Sequence, residues 1–135
     1  MKIRHHLLFS GICLIAWAGF YAAGLSFNYF QDFGLIPSVL LVYATTFGFL
    51  PFTCIIVLSF VKLPYMRTSI WLAFYGSLIP FILDLFVVGM IKGEGMHFLI
   101  SHWILTVGYA LVWVIFPLTA KILEKLSLKT INQEF

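Results

Sequence analysis

Charge is confined to a few places in this chain, and the stretches without it decide what it can fold into. Leu7–Phe27 runs 21 residues with no charge and Phe33–Val61 runs 29. Thr68–Ile91 runs 24 residues with Asp84 as its single charge, and Gly95–Ala120 has no charge beyond two histidines. A bilayer core about 30 Å thick is crossed by about 20 apolar residues in helical form. Each stretch is long enough. Lipid offers no hydrogen bonds, so a spanning segment must pair its own amides, and helix does this within one segment. A transmembrane barrel would need alternating segments of about ten residues, and none is present.

Four helices are therefore expected, at about 7–28, 36–61, 68–91 and 97–122, forming an all-α four-transmembrane-helix bundle. One integral membrane domain accounts for residues 1–135. Composition agrees: 62% of the residues are hydrophobic and 10% charged, against about 45–50% and about 25% in soluble domains. Disorder, a disulfide scaffold and nucleic-acid binding are excluded on the same figures. The lipid bilayer is the first partner implied.

Orientation follows from the basic residues. With a cytoplasmic N-terminus, the inner segments hold Lys2, Arg4, Lys62, Arg67, Lys121, Lys125 and Lys129, and the outer loops hold only Lys92. That bias places both termini in the cytoplasm. Met1–His6 is basic and Ala16-Trp17-Ala18 fits a small-x-small cleavage pattern. The apolar run continues to Phe27, however, which favours an uncleaved first span. Beyond Ala120 the fourth helix is expected to continue as a charged, partly amphipathic end.

Within the spans, Pro51 and Pro80 are interior and free the carbonyls of Phe47 and Gly76, which predicts kinks. Pro37 falls in a first helical turn, where its missing amide costs nothing. Ala18, Gly19, Ala22 and Ala23 form small-residue pairs four apart, expected to face the bundle interior or a dimer seam. Tyr65 and Trp71 at one interface, with Tyr29 and Trp103 at the other, fit the aromatic belts.

Asp84 is the most informative position. A carboxylate in the bilayer costs about 2.5–3.5 kcal/mol on insertion scales and calls for a partner, a water path or a proton. At 1.5 Å per residue, Asp84 lies about 10 Å below the outer boundary and His102, on the descending fourth helix, about 7–8 Å below it. The two are expected in contact. His102, Thr106, Tyr109 and Trp113 step by four, three and four, which is one helical face. Ser77 and Gly76 lie on Asp84's side of the third helix. The candidate intramembrane polar site is therefore Asp84, His102, Thr106 and Tyr109. Three readings compete there: an interhelical lock, a proton or cation site, and a neutral, protonated acid.

No catalytic, cofactor or metal residue is expected. His5 and His6 lie a membrane thickness away from His97 and His102. The latter pair is five apart, about 140° around a helix. Cys13 and Cys54 read as small core residues. Walker, G-x-S-x-G and C-x-x-C patterns are missing, so enzyme activity has no support.

Trp17, the run Ile-Pro-Phe-Ile-Leu-Asp at 79–84, and the aromatic helix His-Trp-Ile-Leu-Thr-Val-Gly-Tyr-Ala-Leu-Val-Trp at 102–113 resemble small uncharacterised bacterial four-span inner-membrane proteins. The resemblance implies a bacterial inner membrane and brings no catalytic residue. Two functions are expected, the first preferred and the second its alternative. The first is a non-enzymatic accessory, assembly or immunity-like protein acting by helix–helix contact with a partner membrane protein. The second is a small proton- or cation-linked transporter or channel, working as a homodimer through Asp84 and His102.

Overall fold

The structure, a computed structural model, describes residues 1–25, 30–61 and 64–134. These are helical, with no strand among the described residues. Four of the helical stretches are long and apolar enough to cross a membrane: Ile3–Leu25, Leu35–Phe60, Tyr65–Ile91 and Trp103–Leu128. The expected end at residue 28, with Tyr29 of the aromatic belt, Lys62 and the side chain of Lys129, lies outside the described residues. Elsewhere the spans begin or end a few residues from their expected bounds. We call the end carrying both termini and the turn before Tyr65 the terminal end, and the opposite one the distal end.

The first span is α1, Ile3–Leu25. The second comprises α2, Leu35–Ala44, and α3, Leu50–Phe60, joined by a wide π turn at Thr45–Phe49. Pro51 explains the junction: it has no amide to give the carbonyl of Phe47, and the wide turn takes up the mismatch without ending the span. Thr46 adds a donor there, its hydroxyl reaching the Val42 carbonyl at 2.7 Å. The third span is α4, Tyr65–Asp84, continued by a second wide turn at Leu85–Ile91. Pro80 sits inside α4 without interrupting it.

The fourth span departs from expectation at its start. In place of a helix from residue 97 there is a 3-10 turn at Gly95–His97 and a short α5, Phe98–Ser101. At His102 the backbone leaves helical geometry (φ −113°, ψ 58°). Only then does α6 begin, running from Trp103 to Glu134. Its 32 residues extend about 48 Å at 1.5 Å per residue, well beyond an apolar core, so the charged end does continue the helix as expected. The Thr106 hydroxyl donates to the Leu99 carbonyl at 2.6 Å and so ties the break together.

Packing centres on the hairpin of α4 and α6; α1 lies on α4, and α3 lies on α6. The backbones of the first and second spans stay further apart than those of these pairs. They meet through side chains such as the rings of Phe20 and Phe49, 5.3 Å apart. One apolar core fills the terminal half, built on Phe9, Cys54, Leu72, Val112 and Phe116. A smaller one at the distal end is built on Val88 and Phe98. Gly89 is required in the latter, because a Cβ there would sit 2.9 Å from Leu85 Cδ1 and 3.0 Å from the Gly95 carbonyl oxygen.

Outside these cores the surface is that of a lipid-solvated body: Ile15, Leu35, Phe47, Phe60, Ile100 and Val114 all point outward. In water such a surface would aggregate; in hydrocarbon it is the ordinary exterior. The small residues of α1 also differ from one expectation. Ala18, Gly19, Ala22 and Ala23 are exposed rather than packed inside the bundle, because α1 docks on α4 through the face carrying Phe9, Cys13 and Trp17. The cysteines are free and buried, and the Cys54 thiol lies 3.7 Å from the Phe116 carbonyl.

At the terminal end, polar side chains settle exposed backbone. Glu124 of α6 accepts a hydrogen bond from the backbone amide of Met66, in the first turn of α4, at 3.2 Å. A helix N-terminus has unpaired amides and a positive dipole end, so an acid is well placed there. His6 and Tyr75 hydrogen-bond at 3.0 Å, with Trp71 edge-on to the imidazole. This pins α1 to α4.

Candidate functional site

Asp84 is the last residue of α4 and is 2% exposed. The indole N–H of Trp17, on α1, donates to its Oδ1 at 2.7 Å. The Tyr109 hydroxyl, on α6, donates to its Oδ2. One carboxylate thus ties three spans together. Both oxygens of the acid are engaged, one of them by an indole that can only donate.

The donors are themselves held. Trp17 stacks on Tyr21, one turn further along α1, with ring centroids 5.1 Å apart and planes 14° from parallel. Tyr109 meets the edge of Phe81 at 5.8 Å. Tyr21 stands one helical turn from Trp17, and Phe81 one turn from Asp84, so each supporting ring shares a helix with a member of the site.

The four residues expected at the site separate into two groups. Asp84 and Tyr109 meet. Thr106 is directed to the backbone at the helix break. His102 is also buried, at 2% exposure, but its Nδ1 faces the Ser101 hydroxyl at 2.9 Å and Glu94 Oε2 at 3.4 Å. The Ser101 hydroxyl donates to the same Glu94 oxygen at 2.5 Å. The physical reason is the break at His102: an unwound residue does not share the face of Thr106, Tyr109 and Trp113. Further down that face, Trp113 donates to the Ser77 hydroxyl at 3.0 Å.

Trp17 was the residue that spacing arguments missed as a site member. Its chemistry was available: an indole near the depth of a buried acid is a natural donor. The contact spans 67 positions, however, and nothing local fixes the rotation of α1 about its axis. Glu94 was hidden for another reason, since it reads as an ordinary loop charge.

Asp84 also belongs to the wall of a cavity of about 140 Å³ between the two apolar cores, to which all four spans contribute. Trp17 and Phe20 come from α1, Leu41 and Phe49 from the second span, Gly76 and Pro80 from α4, and Val112 and Phe116 from α6. Gly76 matters because Phe116 and Val112 approach it closely; a Cβ there would lie 3.4 Å from the Phe116 ring. At the distal end Phe30 completes the wall. It is 7% exposed and has φ 71°, a left-handed conformation that a bulky residue seldom adopts.

For metal, Glu94 and His102 bring two potential ligands together, and no group of three His, Cys, Asp or Glu gathers among the described residues. The arrangement around Asp84 is one of hydrogen-bond donors, aromatic rings and an apolar hollow. No family model, no curated protein sequence and no solved structure matches this chain, so its own geometry is what a functional reading stands on.

Proposed function

We propose that the protein is a small, non-enzymatic carrier of the bacterial inner membrane, proton- or cation-linked and dimeric, with Asp84 as the charged group of its site. The observation that supports this reading is that the acid lies on the wall of an interhelical cavity, not in a contact filled on every side. A carboxylate needed only as a lock gains nothing from a hollow beside it. A carboxylate that exchanges a proton or a cation needs one. Trp17 and Tyr109 hold it ready by donating to both oxygens. A four-helix wall is thin, and a second copy on the exposed Ala18, Gly19, Ala22 and Ala23 face of α1 would thicken it.

The test is flux in proteoliposomes of the full chain under an imposed proton or cation gradient. Uptake in the wild type that disappears in Asp84→Asn, with the variant still monodisperse, is the expected result. Absence of flux in the wild type would sink the carrier. A second reading then takes its place: an accessory, assembly or immunity-like protein working by helix–helix contact. The same exposed small-residue face favours it, and Gly19→Leu should then abolish partner or self-association while leaving the fold intact.

A further inference from the structure

We infer that the cavity beside Asp84 takes an organic cation: an ammonium group carried on a small apolar or aromatic body. The inference rests on the same site as the carrier reading and names its ligand class.

Four observations converge. First, among the described residues Asp84 is the one acid on the wall, and no basic side chain is part of that wall. Second, the same wall presents aromatic rings, Trp17 and Tyr109 against the acid and Phe20, Phe30 and Phe116 elsewhere on it. Ring faces attract cations, Trp most of all, and the attraction grows when water is excluded. Third, the volume of about 140 Å³ is close to that of an engineered apolar cavity, about 150 Å³, that accepts benzene. It suits one ring or a compact trialkylammonium. Fourth, the hollow is only partly enclosed, so a molecule from outside the bundle has a way in.

An inorganic ion fits less well. Calcium takes about six to eight oxygen ligands, and magnesium keeps several waters; this wall gives one carboxylate among rings. The aromatic body fills the hollow, and the ammonium meets both the carboxylate and the Trp17 ring.

The experiment is equilibrium dialysis of radiolabelled benzylammonium against the full chain in zwitterionic nanodiscs, with empty discs as background. Saturable binding is expected in the wild type. Asp84→Asn should weaken it by roughly 30-fold. Ala16→Phe places bulk in the cavity and keeps the acid and both donors, so it guards against a folding defect in the Asn variant; it too should lose binding. Ethylbenzene, the uncharged isostere, should compete poorly. Absence of saturable binding in the wild type overturns the inference. So does binding that survives both substitutions, or displacement by the neutral isostere as effective as by unlabelled cation. Binding without flux would remove the carrier and leave the cation site. Proton flux without binding would do the reverse.

Discussion

Removing the Tyr109 hydroxyl tests the geometry of the Asp84 site most directly. Tyr109→Phe keeps the ring and its edge contact with Phe81 at 5.8 Å and deletes one donor to Oδ2. Hydrogen bonds to charged groups contribute about 1.5–3 kcal/mol in soluble proteins. Interhelical ones in membranes average about 0.6 and reach about 1.7 kcal/mol, because a helix separated within the membrane finds other partners. Here the acceptor is a carboxylate at 2% exposure, which places the loss near the upper figure, about 1.5 kcal/mol or about tenfold in the unfolding constant. The measurement is a double-mutant cycle with Asp84→Leu, following helix loss in bicelles against increasing SDS. Tyr109→Phe should cost about 1.5 kcal/mol alone and close to nothing once Asp84→Leu is present. A cost that persists unchanged in the Asp84→Leu background would refute the assignment, since the hydroxyl would then be bonded elsewhere. Trp17→Phe should behave in parallel, with the added effect of loosening α1 from α4.

Three further outcomes are expected. Gly89→Ala should destabilise the chain by about 1–3 kcal/mol, because the new methyl meets the Gly95 backbone; Gly19→Ala, with nothing within 4 Å, should be neutral or stabilising, and detergent melting curves of the two separate these cases. Glu124→Gln should lower stability by about 0.3–1 kcal/mol through the weakened N-terminus of α4, an effect that shrinks in high salt and is read from denaturation at two ionic strengths. Membrane-impermeant thiol reagents applied to intact cells should label Asp32→Cys and Lys92→Cys, fail on Arg67→Cys, and leave the buried Cys13 and Cys54 silent; labelling at 67 would invert the orientation inferred from the basic residues.

The number of helices long and apolar enough to cross a membrane, their approximate positions and the helical class were legible in the sequence, because each depends on local quantities: the length of an uncharged run, the lack of water in the bilayer, the bonding each amide needs. The importance of Asp84 was legible for the same reason, since one charge in 24 residues has an energetic cost wherever the helix points. Tyr109 was reachable from its spacing along one face. What the tertiary structure decided was direction. The rotation of α1 brought Trp17 to the acid and turned Ala18 and Gly19 outward, and periodicity in a uniformly apolar helix carries no mark of which face is buried. The unwinding at His102 sent the imidazole to Glu94 and Ser101, a change of a few backbone angles that depth arithmetic along an ideal helix cannot contain. The hollow beside the carboxylate belongs to no single segment: it is the space left where four lipid-bathed helices meet unevenly.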